Sequence, residues 1–445
     1  MTSTSARPDT YSIARNPDKI RRPGYAPAAN AGVGRRGMHT RGRILACAAE
    51  VFLVNGFHST SLDTIAKAAN ASRATVYQYF AGKEEIFREL SAVSERDVLE
   101  HGERLGGLGP TVDGIDALHR WLADWADIYD AHAAVFAEFP GIGTATGLSV
   151  IDAGPVTEQF RHTITDRLRG APLHGLDVDD AAAALMRIPH MVHLYRYRAM
   201  FPLPDRAAVS RSLTVALQLM LFPDTPTDVL RTLPTQSGEA SAGPHLAAIT
   251  RPEAKPEVTD APLSPIAQDV LLVGSTLFAE RGYYAVGMEE IAAAADLSRA
   301  TLYRYFSTKD QILAELTRRA VTEIEEHAAT LPRMAHGSFV EWMLGYVRFH
   351  RGYRGVIRAW FDGTVAERLS DAAVDHGIGA IHRAVGALLD TVELPSGIDA
   401  QVAVAVFLAV LGRMTEPTTA SAPDSDERTA ELMVNLLGRS LLRAA

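Results

Sequence analysis

The sequence predicts an all-α protein made of two tandem, homologous halves. Three observations support this. The segment 269–316 repeats 43–90 without a gap, with 18 of the 48 positions identical. In both copies the apolar residues return at three- and four-residue intervals, the period of a helix face. Nowhere does an alternating apolar and polar run sit between turn signals, as a half-buried strand requires. Such a repeat outranks chain length as a guide to domain count, so two halves of about 200 residues are expected.

Residues 1–37 are expected to form a disordered basic tail. The first 43 residues hold Arg7, Arg15, Lys19, Arg21, Arg22, Arg35, Arg36, Arg41 and Arg43 against only Asp9 and Asp18. The formal net charge of the chain is −9, so the acidity lies elsewhere. The arm either adds phosphate contacts or takes no part in binding. Helical periodicity starts near Arg41, with Ile44, Cys47, Ala48, Val51 and Phe52 on one face, and stops at Gly56. Glycine there suits the positive φ that ends many helices. Thr60 or Ser61 then offers a capping hydroxyl to a short helix running through Ala69. Asn70-Ala71 makes a turn, Ser72 caps the next helix, and a fourth helix starts near Lys83 and passes Leu99. The second copy repeats the plan: Val270 to Glu280, Gly282, Met288 to Ala295, Ser298 to Phe306, then Lys309 onward.

The repetition continues beyond these units. Trp121, Trp125, Tyr129, His132, Val135 and Phe139 have counterparts about 221 residues later in Trp342, Tyr346, His350, Tyr353, Val356 and Trp360. Each half then closes with two apolar helices, at 178–201 and 205–222 and again at 398–414 and 425–443. The segment 223–264 is rich in Pro, Thr, Ser, Glu and Ala and reads as a linker, which as coil spans roughly 36 Å. The expected domains are 38–98 (helix-turn-helix at 61–80), 99–222, 265–324 (helix-turn-helix at 287–306) and 325–445.

Ile65-Ala66, Ser72-x-x-Thr75-x-Tyr77-x-Tyr79-Phe80-x-x-Lys83 and their second-half equivalents closely resemble the tetracycline-repressor (TetR/AcrR) family of bacterial transcription regulators. The specific match covers about 48 residues in each half. The resemblance implies a three-helix unit that binds double-stranded operator DNA, a helical effector core, and a terminal helix pair that builds a four-helix bundle with a partner. Two such protomers fused in one chain would form an intramolecular pseudo-dimer. The rival arrangement pairs each half with another chain and gives four reading units.

Residue chemistry sharpens the expectation. Arg73 and Arg299 begin the recognition helices, where a guanidinium either grips guanine O6 and N7 or contacts a phosphate. Ala74 and Ala300 leave room for a thymine methyl. The resemblance gives Thr75, Tyr77, Tyr79 and Lys83, with Thr301, Tyr303, Tyr305 and Lys309, to the DNA backbone. Ser61, Ser72 and Ser298 add hydroxyls at helix starts. Gln78 becomes Arg304, adding charge to the second copy, while Ser61 becomes Gly287, removing a cap.

A small effector is expected in the cores. Trp125, Tyr129, His132, Phe136, Met186, His190 and His193 fall at spacings able to line a cavity, as do Met343, Tyr346, His350, Tyr353, Trp360 and Phe407. For each of them ordinary core packing is the competing account. His190 and His193 have no Cys or carboxylate nearby in sequence to complete a ligand set, so neither metal nor cofactor is expected. Gly32-Val33-Gly34-Arg35-Arg36-Gly37 matches the dinucleotide fingerprint only formally, because no strand precedes it. No catalytic elbow or phosphate loop is present, which argues against an enzyme, although a catalytic or ligand-carrying core with vestigial DNA binding is the alternative of a different class. No apolar run reaches the roughly 18 residues of a membrane span, no signal-peptide core starts the chain, and Cys47 is the single cysteine. A cytoplasmic location is expected.

Overall fold

The computed structural model describes residues 33–138, 153–233, 263–331, 336–360, 371–416 and 424–443. The tail residues 1–32 and most of the expected linker, 234–262, lie outside the described residues. Every regular element among the described residues is an α-helix. The chain divides into two compact units, residues 1–98 with 128–138 and residues 99–127 with 139–445.

The first unit is built on α1 (Val33–Ser59), α2 (Leu62–Ala68) and α3 (Arg73–Tyr79), with parts of α4 (Lys83–Glu103) and α5 (Val112–Phe136). Helix α1 begins at Val33, inside the segment expected to be tail. No proline follows Pro27 before its end, so nothing stops the helix from extending backwards. Phe52, Phe57 and Phe87 form the centre, with ring centroids 5.1–5.6 Å apart. Ile44, Ile65, Val76 and Phe80, all fully buried, surround them. At Gly56 the backbone takes φ 73 and ψ 160, and Gly282 repeats the conformation with φ 78 and ψ 154. That region is open essentially to glycine alone, so the repeated glycine marks a corner that any other residue strains.

The corner yields a clean prediction. A Cβ on Gly282 meets no atom within 4 Å, so Gly282→Ala tests backbone strain without a clash. We expect a loss of about 1–3 kcal/mol. Gly438→Ala, on the exposed face of a helix and equally free of clashes, should instead add about 0.5–1 kcal/mol. Urea unfolding of the two variants measures both signs.

The second unit contains a three-helix group equivalent to the first, α10 (Pro265–Arg281), α11 (Met288–Ala294) and α12 (Arg299–Tyr305), followed by α13 (Lys309–Thr330). It also holds α6 (Gly154–Leu168), α7 (Val178–Tyr197), α8 (Arg206–Leu221), the one-turn α9 (Thr227–Leu230), α14 (His336–Gly352), α15 (Arg354–Trp360), α16 (Asp371–Leu389), α17 (Ala400–Arg413) and α18 (Asp426–Arg439). Helix α13 lies along α16, α14 along α18, and α15 crosses α10. That crossing is close: a Cβ on Gly355 would stand 2.4 Å from the backbone nitrogen of Ala279.

Helices α7 and α8 from the first half pack against α17 and α18 from the second. Most of the residues these helices bury are apolar, which drives association, with Asp180, Arg187 and Arg413 as buried charged exceptions. Residues 223–233, expected to be linker, fold instead. Val229, Leu230 and Leu233 bury themselves with Ile115, Val215 and Leu219, and Ile398 packs against the cluster. Their three apolar side chains are spaced to cover one patch, a signal too short to stand out in a Pro- and Thr-rich stretch.

Candidate nucleic-acid interface

The two recognition helices are built alike. Ser72 Oγ accepts from Thr75 N–H at 3.0 Å, and Ser298 Oγ accepts from Thr301 N–H at 3.1 Å. In each helix one apolar residue points inward, Val76 or Leu302, while the phenylalanine that follows, Phe80 or Phe306, is buried as well. Ser72, Arg73, Ala74 and Gln78 are exposed on one side, and Ser298, Arg299, Ala300 and Arg304 on the other copy. Thr75, Tyr77 and Tyr79 are half-buried beside them, as are Thr301 and Tyr305, whereas Tyr303 is exposed.

Both leading arginines meet a carboxylate that the sequence analysis did not single out. Arg73 Nη1 lies 3.1 Å from Asp63 Oδ2, and Arg299 pairs with Glu289 at the equivalent position of α11. The Arg73 guanidinium also lies over the Tyr77 ring, 5.5 Å from its centroid. These pairs are exposed and weak, but they hold the guanidinium at the outer edge of its helix. In the second copy Arg304 sits 5.1 Å from the Tyr305 centroid, so a second cation flanks the same face.

Caps differ between the copies. Ser61 Oγ accepts from Thr64 N–H at 3.1 Å. Gly287 has no side chain to do this, yet its own N–H donates to Glu290 Oε2 at 2.9 Å. This reciprocal half of a capping box partly replaces the lost hydroxyl, and the bond holds the Glu290 carboxyl below its ordinary value.

The lysines at the start of the fourth helices bond to backbone carbonyls. Lys83 Nζ donates to the carbonyls of Phe57, His58 and Thr60 at 2.8–2.9 Å. Three acceptors use all three N–H groups of an ammonium, so in this conformation the group expected to grip phosphate ties the α1–α2 corner to the start of α4. Lys309 Nζ donates likewise to Tyr283 and Val286 carbonyls and lies over the Tyr283 ring at 4.3 Å. Burial pushes the Lys83 ammonium below its ordinary value. A lysine one residue after a structural turn carries no local sign of which of these tasks it performs.

The expected effector residues lie mostly buried in the helical cores. In the first unit Tyr129 and Phe136 stand 5.0 Å apart, and His132 Nε2 lies 2.8 Å from Asp97 Oδ2. In the second unit Trp125 faces His101 at 5.5 Å and Phe160 at 6.5 Å, while Met186, His190 and His193 are buried along α7. Tyr346 stacks between Trp342 and His350, and His350 Nδ1 lies 2.8 Å from Thr415 Oγ1. Met343 and Phe407 are fully buried, and Trp360 Nε1 donates to Thr317 Oγ1 at 3.2 Å. Of the expected set, Tyr353 lines an open groove of about 730 Å³ along α13, together with Arg318, Glu323 and His327.

One repeated feature of the cores escaped the sequence analysis. Trp121 Nε1 donates to the His101 carbonyl at 3.1 Å, and Trp342 Nε1 donates to the His327 carbonyl at 3.0 Å. Each tryptophan thus anchors the end of the fourth helix of its half. His101 itself is fully buried against Trp121, and burial holds its imidazole down to about 3. Burial, with Arg413 next in effect, holds His350 at about 4.

Unfolded imidazoles titrate near 6.5, so between these values the unfolded chain binds protons that the folded chain refuses. Their stabilising contribution is therefore complete above about pH 6.5 and is lost as the pH falls toward 4 and then 3. Each buried histidine should add a slope of about 1.4 kcal/mol per pH unit in that window. Unfolding free energies measured from pH 7 to 5 should show it, and His101→Phe should flatten the slope by one proton.

Comparison with known proteins agrees with this geometry. The family described as bacterial regulatory proteins, tetR family, matches residues 44–90 and 270–316. The chain thus carries two segments that match this family. A helix-turn-helix-type transcriptional regulator of Bacillus subtilis, YhgD, is 22% identical over 172 residues, covering 38% of this chain and 88% of its own length. The regulator AcrR of Shigella flexneri is 41% identical over 61 residues, 14% of this chain and 28% of that protein. Among solved structures, the TetR-family regulator PfmR of Thermus thermophilus is 25% identical with a TM-score of 0.32, covering 40% of this chain and 97% of PfmR. FadR of Bacillus subtilis, solved with stearoyl-CoA, is 19% identical with a TM-score of 0.30, covering 39% of this chain and 96% of FadR. The two matched segments and the helix-turn-helix regulators among the relatives mark the protein as a DNA-binding regulator of transcription.

Proposed function

We propose that this chain is a ligand-responsive repressor that reads a pseudo-palindromic operator with both recognition helices of a single polypeptide. The observation that carries the reading is the duplicate exposed face, Ser72-Arg73-Ala74 and Ser298-Arg299-Ala300, on one chain whose halves share a helical bundle. Reading units of this kind engage half-sites one helical turn apart, about 34–36 Å along B-DNA. A tandem chain supplies both without recruiting a second copy, as a pseudo-dimer. An effector would shift the operator-bound population by binding one state of a core more tightly than the other. The groove along α13, with cationic, anionic and aromatic side chains, supports a polar or zwitterionic small molecule as its occupant.

Footprinting with DNA from upstream of the gene and its neighbours tests the reading. Two protected half-sites, about one turn apart and released by a small molecule, are expected. A protected patch covering one half-site, or an absence of any protection, contradicts it.

A further inference from the structure

A pair related by twofold symmetry must be self-complementary: whatever residue i meets, its twin must meet as well. The bundle joining the halves violates that condition at several buried positions. Corresponding helices can be set in register by their caps, Asp177 with Asp399 for α7 and α17, and Asp205 with Ser425 for α8 and α18. In that register Arg187 corresponds to Ala409, Asp180 to Val402, Met191 to Arg413 and Arg428 to Ala208. Each polar partner exists in one half and is apolar in the other.

The contacts use these differences. Buried Arg187 donates to the carbonyls of Arg413 and Glu416 at 3.2 and 2.9 Å. Arg413 Nε lies 3.3 Å from Met191 Sδ, its own counterpart across the bundle, and its Nη1 meets Glu416 Oε1 at 2.9 Å. Arg428 reaches the buried Asp180 carboxylate at 3.0 Å. Helix length matters too. Helix α17 ends at Arg413, which leaves the carbonyls of 413 and 416 at a helix end, whereas α7 continues to Tyr197 and its Leu194 carbonyl accepts from Arg198 N–H.

Two first halves placed face to face would set Asp180 against Ala208 and Arg187 against carbonyls already used in a helix. Two second halves would set Arg413 against Arg413 and Arg428 against Val402. The first arrangement takes from the buried Asp180 the cation it meets across the bundle, and the second brings two buried Arg413 guanidiniums together, both unfavourable conditions. We propose that these positions make the two faces selective for each other, so that the surface of each half accepts the sister half and rejects a second copy of itself. The inference rests on the reading of the chain as a paired unit. It adds that the unit is heterotypic by construction, which closes this face to assemblies in which like halves pair.

The test uses the full chain with a site-specific protease sequence inserted within 234–262 and cut after folding. Cut protein in light and heavy isotope forms is mixed, incubated and weighed by native mass spectrometry. Pairs of one N-terminal with one C-terminal half are expected, with like pairs below about one in a hundred. Like pairs at a statistical frequency overturn the selectivity alone, while separation into single halves overturns the paired unit itself. Asp180→Arg should loosen the cut pair by about tenfold or more, and Asp180→Arg with Arg428→Asp should recover most of that loss. Failure of the double variant to recover also overturns the proposal.

Discussion

Arg73→Ala and Arg299→Ala should each weaken operator binding by about 1–3 kcal/mol, roughly 5- to 150-fold, through lost recognition at one base pair of one half-site. The expectation follows from placement: each guanidinium is exposed at the first position of its recognition helix, beside the carboxylate of Asp63 or Glu289. Conservative replacement separates base reading from charge. Arg73→Lys retains a cation for phosphate but loses the planar fork that holds guanine. If base reading is the role, Arg73→Lys should relax the preference at that base pair as Arg73→Ala does. If the role is a phosphate contact, Arg73→Lys should bind nearly as well as the parent and leave the sequence preference intact. Titration of the variants against a panel of operators with single base-pair changes distinguishes the two.

The largest effect on stability should come from Glu416→Ala. The Glu416 carboxylate is mostly buried and ion-pairs with Arg413 at 2.9 Å. The buried guanidinium of Arg187 is held down by burial and drawn back up chiefly by Glu416, and the same balance governs Arg358. Removing the carboxylate leaves several buried cations facing one another. Loss of one partner of a buried pair costs about 3–5 kcal/mol, and the neighbouring arginines place this site at the upper end. Glu416→Gln keeps the shape and removes the charge, so it should lose a similar amount. Equilibrium urea unfolding measures both. A change below 1 kcal/mol in either variant would show that the backbone carbonyls and the carboxylates of Asp180 and Asp424, and not Glu416, compensate these arginines.

Features governed by local chemistry were legible in the sequence. Ser72 and Ser298 cap the recognition helices because a hydroxyl three residues before a free N–H has one geometry to satisfy. Gly56 and Gly282 recur because the corner needs a conformation that other residues resist. Features governed by distant partners were not legible. Nothing near Lys83 announces that the carbonyls of residues 57–60 will surround it. Glu290 rescues the Gly287 cap by a side-chain reach that the comparison of the two copies, made position by position, overlooks. Arg187 and Glu416 are separated by 229 positions in the sequence, and an arginine in an apolar helix reads as an isolated exception until its partner is placed. The effector residues were legible as buried aromatics and histidines, because their helical spacing places them on inner faces.

The stoichiometry of the operator complex tests the central claim most directly. Sedimentation of the full chain with an excess of duplex carrying both half-sites should give one 48.1 kDa chain per duplex. Both half-sites should be protected in that complex. Two chains on each duplex, with either recognition helix dispensable, would contradict the account.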